Sequence, residues 1–344
     1  MNKIIYEDTL QIINDNEVDK LYGKTFFITG ATGMIGSYIS YVLKTLNDLY
    51  KMNINIILNV RNKNKLNNEI LNDEHVRIIE QDVTNKFIIE GSVDYIIHAA
   101  SPASPKIMKD YPFETNAANT IGAYNTLLLA KEKKATYLFI SSREIYGEPS
   151  ENVSIFTEEG LLGQVNPLIP RNGYAEGKKA AENMCISMHD EYGLNTKIVR
   201  LAHTYGPGMS ITDGRVQADF LNNVIHHEDI IMKSEGLQSR TYTYISDAIN
   251  GIFKVLLSSK DIVYNISDDQ EITIKELAEI LVSLSNNESK LVIKLDNSLA
   301  KGSSSFKRGI LSNEKIKKEL NWKPKYTVKD GFKRTIEYLK EENL

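Results

Sequence analysis

A tyrosine and a lysine stand four residues apart in the run Tyr174-Ala-Glu-Gly-Lys178. On a helix that spacing puts both side chains on one face, one turn apart. A lysine cation beside a phenol favours phenolate, drawing tyrosine from its ordinary pKa of about 10 toward the range a general base needs. A Tyr-x-x-x-Lys pair by itself is mostly a solvated helix face, so a third group decides what it means. Ser141 and Ser142 close the apolar run Ala135 to Ile140, one strand-and-helix unit upstream. A hydroxyl at that strand end can hydrogen-bond a substrate hydroxyl whose proton Tyr174 removes, which makes Ser142, Tyr174 and Lys178 the candidate catalytic residues.

A second constellation says what is bound. The apolar run Thr25 to Thr29 is followed at once by Gly30, Gly33 and Gly36, and then by helical spacing at Tyr38, Ile39, Val42 and Leu43. Strand, tight turn and helix are implied. Gly30 permits the turn, Gly33 lets backbone amides approach a pyrophosphate, and Gly36 lets the helix pack on its strand. With Thr32, Met34 and Ile35 filling the turn and first helical positions, this is a dinucleotide site at a helix N-terminus, where free N–H groups favour anions. An acidic residue closing the second strand would mark NAD by holding the adenosine 2′-hydroxyl. Here that strand ends in Asn59, with Arg61 just beyond, so the residues leave NADP open as the alternative, its 2′-phosphate paired with Arg61, and NAD is expected from the chain's resemblance to enzymes that recycle the cofactor within one turnover.

Six strand-like runs, at 24–29, 54–60, 76–80, 93–98, 136–141 and 196–201, alternate with helical stretches. That alternation predicts an α/β fold with a doubly wound parallel sheet, its ligands beyond the C-terminal strand ends. At 344 residues the chain calls for one large lobe and a smaller mixed one. The expected division is a helical extension over 1–20, the dinucleotide domain over 21–202, and a substrate lobe over 203–344, with about 241–265 returning to the first domain. The 41 Lys+Arg against 45 Asp+Glu give a formal charge of −4, which offers no global attraction to nucleic acid or an anionic membrane. Its one cysteine, Cys185, excludes a disulfide framework, and no apolar run spans a bilayer, so a cytoplasmic protein is expected.

The sequence resembles extended short-chain dehydrogenase/reductases of the nucleotide-sugar epimerase/dehydratase family, from about Lys24 to Leu339. The likeness rests on the glycine motif, Asp82-Val83, His98 to Pro105, Asn119 to Gly122, Ser142 with Glu144 to Gly147, the Tyr174/Lys178 motif, Tyr205 to Met209, and Arg240 ahead of Tyr244 to Asp247. It implies a Rossmann-type sheet, with Asp82 and Val83 at the adenine, Ala99, Ala100 and Ser101 at the cofactor ribose and phosphates, Asn119 beside them, and Lys178 at the nicotinamide ribose. The run Ser101-Pro-Ala-Ser-Pro105, the Glu-Gly inside the Tyr/Lys motif, and Asp213-Gly-Arg-Val216 are most similar to UDP-glucuronate decarboxylases.

Chemistry in such enzymes opens with oxidation at the sugar C4, hydride passing to the nicotinamide. A 4-ketouronate can then lose carbon dioxide; a 4-ketohexose can lose water or be reduced from its other face. Similar dehydratases carry an Asp-Glu pair where this chain has Arg143-Glu144, and a guanidinium cannot donate the proton that dehydration needs. Decarboxylation is therefore expected first, with 4-epimerisation or plain C4 dehydrogenation as alternatives and a non-catalytic dinucleotide sensor as the reading from another class. Glu144 is the candidate for later proton transfers, against a simple ion pair with Arg143 or Lys178. The resemblance places Arg215, Val216 and Arg240 at the substrate's nucleotide diphosphate, with Ser101 and Arg143 also on the substrate side. His203 stands where such enzymes usually have Asn. His226 and His227 point apart on a helix, so no metal site is expected. Two long helical stretches, 112–133 and 173–192, resemble the pair that forms a homodimer interface, and the product is expected to feed a cell-envelope glycan.

Overall fold

The computed structural model describes residues 1–147, 155–160, 163–295 and 310–342. In chain order its first strands are β1 (Thr25–Thr29), β2 (Asn55–Val60), β3 (Val76–Glu80), β4 (Tyr95–His98), β5 (Thr136–Ser142), β6 (Ile155–Phe156) and β7 (Thr196–Leu201). They are followed by β8 (His203–Tyr205), β9 (Ile230–Met232), β10 (Ser239–Tyr244), β11 (Val263–Ile266), β12 (Glu271–Thr273), β13 (Leu291–Ile293) and β14 (Ile310–Leu311). The helices that matter below are α1 (Lys3–Asn14), α2 (Met34–Tyr50), α3 (Asn68–Leu71), α4 (Pro105–Asp110), α5 (Pro112–Lys133), α6 (Gly173–Tyr192), α7 (Val216–Ile225) and α8 (Ile245–Ser258), with α9 (Ile274–Ser283), α10 (Glu314–Leu320) and α11 (Val328–Glu341) closing the chain.

Seven strands form one parallel sheet in the order β3-β2-β1-β4-β5-β7-β11. All five residues of β1 are buried, as a strand covered by helices on both faces requires. The order reverses between β1 and β4, and ligands of such sheets bind in the crevice beyond that switch point. Register fixes what lines the crevice. Thr29 lies opposite His98, and His98 opposite Phe139, so the Gly30 turn and the Ala99 to Ser101 segment leave the sheet together. Strand β5 runs on to Ser142 at the same edge.

The doubly wound sheet and the two long helices fall where the sequence puts them; β4 begins at Tyr95 rather than 93, the other five expected strands differ by at most one residue at an end, and β11 is a seventh strand beyond the six expected. The strands beyond β7 are mixed: β8 is parallel to β10, β10 antiparallel to β12, and the short pairs β9 with β13 and β6 with β14 are parallel. Helix α8 and β11 carry the chain back to the main sheet, where β11 pairs with β7.

At the N-terminus α1 buries Ile4, Ile5, Ile12 and Ile13, an amphipathic helix packed on the body. It also buries a carboxylate that its spacing gave no reason to expect inside. Asp8 accepts from the Tyr38 and Tyr244 hydroxyls, each at 2.9 Å, and from Arg334 at 2.8 Å. Among the described residues no helix is long and apolar enough to cross a membrane, and no three His, Cys, Asp or Glu gather as metal ligands do.

Candidate active site

A cleft of about 630 Å³ opens at the switch point. One wall is the glycine turn. Gly30 has φ +69°, and a Cβ there would lie 2.7 Å from the Ala100 backbone; a Cβ on Gly36 would lie 2.5 Å from the Gly30 carbonyl oxygen. Neither position tolerates a side chain. Gly33 caps α2 without any side-chain hydrogen bond, so the first-turn amides remain free donors. Thr32, Met34, Ile35, Ala99 and Ser101 complete this wall. Ala100 lies behind it, its N–H donating to Thr29 Oγ1 at 3.2 Å. That hydroxyl in turn meets His98 Nδ1 at 2.8 Å, which fixes the chain as it leaves β1 and β4. Burial pushes the His98 imidazole down to about 3, so it stays neutral. Compact, side-chain-free backbone around open helix amides fits a dinucleotide pyrophosphate.

Ser142, Arg143, Glu144, Tyr174 and Lys178 form the facing wall. Ser142 caps the short turn Arg143–Tyr146, its Oγ accepting from the Glu144 N–H at 3.2 Å. Its own O–H faces the Tyr174 phenol. Helix α6 presents Tyr174 and Lys178 because Gly177 lets it press against α5: a Cβ at that glycine would meet Asn119 Cβ at 3.0 Å. The Tyr174 phenol is 7% exposed, and burial raises its pKa. The Ser142 and Ser101 hydroxyls and the Arg215 charge oppose that rise, while the Glu144 charge adds to it.

The lowering expected from Lys178 does not occur. Its Nζ donates to the Ile140 carbonyl at 2.6 Å and sits 5.9 Å from the Tyr174 ring centre. Burial, against the Glu182 and Cys185 charges, brings the lysine itself down to about 7. Desolvation of both groups outweighs the attraction that spacing alone suggested.

Glu144 pairs with Arg143 at 3.2 Å, the simple ion pair the sequence left open. Arg215 and Val216 line the cleft at the start of α7, the arginine donating to the Ala103 carbonyl at 2.7 Å and pairing with Asp213 at 3.4 Å. His203 also lines it, with Nδ1 3.2 Å from the Thr241 carbonyl oxygen. Burial, with the Arg143 and Arg240 charges nearby, pushes its pKa well down, so it stays neutral. Arg240 turns its guanidinium to the Ser239 carbonyl at 2.7 Å and Gln238 Oε1 at 3.2 Å, outside the cleft lining.

Asn119, also outside the lining, accepts from Ser101 Oγ at 2.8 Å and so holds that serine. Asn59 spends its side-chain N–H groups on β3 backbone, at 2.9 Å from the Gln81 carbonyl oxygen and 3.3 Å from that of Ile79. Asp82 closes a turn through the Thr84 N–H and hydroxyl, and its carboxyl, though penalised by burial, is held low by those bonds and by Arg61. Val83 packs in the core beneath Gly122. His226 and His227 lie elsewhere, bonded to the Asn222 carbonyl and to Glu288.

Cleft residues that escaped the sequence reading include Met108, Arg171 and Gln217. The glutamine is 2% exposed, and among the described residues its Nε2 has no hydrogen-bond partner. A signal was present: Gln217 stands four and seven residues before Leu221 and Val224, on the apolar face of α7. Arg171 lies in the polar loop before α6 and carries no periodic signal.

A model of the NAD dependent epimerase/dehydratase family matches residues 26–267. The chain belongs to this family. Members similar to it include UDP-glucuronic acid decarboxylase 1 of Danio rerio, 32% identical over 320 residues, covering 93% of this chain and 73% of that protein. UDP-glucuronic acid decarboxylase 3 of Arabidopsis thaliana is 33% identical over 306 residues, 89% of this chain and 86% of that one. Among solved structures, UDP-glucose 4-epimerase of Thermotoga maritima with UDP-glucose superposes with a TM-score of 0.78 at 22% identity, over 93% of this chain and 100% of that one, a likeness of fold. The epimerase/dehydratase family uses NAD, and the glycine turn with its open α2 amides is where this chain would hold it.

Proposed function

We propose that this chain is an NAD-dependent nucleotide-sugar enzyme that oxidises the sugar of UDP-glucuronate at C4 and releases its carboxyl group as carbon dioxide. The observation that carries the reading is the meeting of the Ser142 and Tyr174 hydroxyls in one cleft with the Gly30 turn. The two decarboxylase relatives, each above 30% identity, supply the substrate class.

Bound NAD supplies a hydride acceptor and, when oxidised, a positive charge. Ser142, whose hydroxyl meets the Tyr174 phenol, orients the C4 hydroxyl, and Tyr174 takes that hydroxyl's proton as the C–H bond gives up its hydride. Lys178, when protonated, favours the phenolate. The resulting 4-keto acid loses carbon dioxide from C5, its bonding electrons moving onto the C4 oxygen. Glu144 relays a proton from water to C5, and Tyr174 returns one to oxygen when the ketone is reduced. Arg143, in the position where dehydration would need an acid, has no proton to give.

Incubation of the protein with NAD and UDP-glucuronate, followed by mass spectrometry, tests this. Loss of carbon dioxide is expected without net reduction of NAD. An unchanged mass with inverted C4, loss of water, or accumulating NADH would each replace the reading with an epimerase, dehydratase or dehydrogenase.

We further infer a homodimer. Phe113, Ile121, Tyr124 and Leu128 of α5 are exposed at spacings of eight, three and four residues, which aligns them along one side of the helix. Sedimentation at micromolar concentration should give twice the 38.9 kDa chain mass. A cytoplasmic setting, where Cys185 stays reduced, and a product used for cell-envelope glycan complete the proposal.

A further inference from the structure

Arg143 is a cation with unfinished bonding. It follows Ser142 directly and lines the cleft, with its side chain 15% exposed. Nη1 takes Glu144 at 3.2 Å, but Nε is buried without a hydrogen-bond partner, and Nη2 makes no bond to any described residue. Nε–H and Nη2–H lie on one edge of the planar guanidinium, the edge that takes two carboxylate oxygens in parallel. A desolvated N–H left empty is unfavourable, so the position favours an occupant.

The surroundings say that this occupant is an anion. Arg143 depresses the protonation of both His203 and Arg240, so the field on this wall is positive beyond what Glu144 cancels. Of the other cleft cations, Arg215 bonds to Asp213 and the Ala103 carbonyl and Lys178 to the Ile140 carbonyl, while Arg171 lines the cleft from the segment before α6 rather than beside Ser142. Place in the cleft says which anion. Ser142 and Glu144 flank Arg143 in the chain, and both act on the Tyr174 phenol. The free edge therefore sits at the sugar end, where the group on C5 lies one carbon from the reacting C4, rather than at the diphosphate.

We propose that Arg143 reads the C6 carboxylate of the substrate, selecting a nucleotide-linked hexuronate over the matching neutral hexose. The proposal rests on the nucleotide-sugar reading above, but on binding alone. It needs no carbon dioxide release, so failure of the decarboxylation experiment would leave it standing.

The test is calorimetric titration of the protein loaded with NADH, which cannot accept the C4 hydride, with UDP-glucuronate and with UDP-glucose, which differ at C6. The wild type should bind UDP-glucuronate about 10- to 100-fold more tightly, the worth of a charge-assisted pair. Arg143→Met should remove most of that preference while changing UDP-glucose affinity less than about threefold, and Arg143→Lys, with charge but no fork, should keep part of it. Equal wild-type affinities overturn the proposal without any variant. Equal weakening of both ligands in Arg143→Met, with an unchanged melting temperature, overturns it in favour of a diphosphate contact. A variant that melts early leaves the wild-type preference and Arg143→Lys to decide.

Discussion

Two arginine and glutamate pairs lie close together in this molecule and differ in how completely they are satisfied. Arg200 on β7 meets Glu182 on α6 through Nε at 3.1 Å and Nη2 at 2.7 Å, and its Nη1 reaches the Tyr146 hydroxyl at 2.8 Å and the Glu158 carbonyl at 3.1 Å. Ser141 donates to the same glutamate, and the Tyr146 hydroxyl donates a hydrogen bond to Asn265 Oδ1 at 2.7 Å. Burial works against the Arg200 charge, yet Glu182 and Tyr146 keep it ionised. Arg143 and Glu144 share one bond at 3.2 Å, on a cleft wall, with a guanidinium edge left over. A saturated buried pair stitches β5, β7 and α6 together; an unsaturated one awaits a ligand. Charge type alone does not separate framework from site, but the state of the hydrogen-bond inventory does.

Tyr174→Phe should show the largest effect and tests the site half of the contrast. Removing the phenolic oxygen should lower kcat about 10²- to 10⁴-fold, with a melting temperature close to wild type because the buried ring remains. A loss of stability comparable to that of a framework variant would erase the distinction. On the framework side, Arg200→Met leaves Glu182 buried and uncompensated, so chemical denaturation should show a loss of about 3–5 kcal/mol. A loss below about 1 kcal/mol would mean that the network is ornament.

Lys178→Met sharpens the comparison because Lys178 is neither fully satisfied nor exposed. It is 2% exposed, and burial brings its pKa to about 7 from an ordinary 10.5. The unfolded chain holds that proton more tightly, so the native lysine costs stability most fully at and below pH 7, a cost that fades as pH rises toward 10.5. Methionine should therefore stabilise the fold by about 1–4 kcal/mol near pH 7 and progressively less toward pH 10, while activity collapses. Urea unfolding at the two pH values checks both sign and slope; equal destabilisation at each would make the lysine framework after all.

The sheet was legible because strands such as β1 and β4 are short, mainly apolar runs and α2 between them shows helical spacing of its buried residues. The boundaries of α5 and α6 follow the predicted 112–133 and 173–192. The convergence of Ser142, Tyr174 and the glycine turn was legible from the switch-point rule. What escaped depends on partners distant in sequence. Asp8 reads as the polar side of an amphipathic helix, yet its partners Tyr38, Tyr244 and Arg334 come from 30, 236 and 326 residues away. The direction of the Tyr174 shift escaped for the same reason, since spacing gives a lysine neighbour but not the degree of burial. Arg240 and Asn59 have the right chemistry for ligands, but in the structure they spend N–H groups on nearby protein oxygens.

The smallest expected effect concerns a third arginine and carboxylate meeting, this one at the surface. Arg61 is exposed and lowers the Asp82 carboxyl across the end of β2 and β3. No acidic residue follows Asn59 to repel a 2′-phosphate, while the family cofactor NAD carries only a hydroxyl there. If Arg61 is an exposed cation without fixed geometry, Arg61→Ala should weaken NADP by about two- to fivefold, the worth of an exposed ion pair, and NAD by less than twofold. Fluorescence titration at low and high salt reads both, and the NADP effect should shrink with salt because screening acts on exposed charges. A loss of tenfold or more that persists in salt would move Arg61 from the surface class to that of Arg143, a cation whose bonding is completed by its ligand.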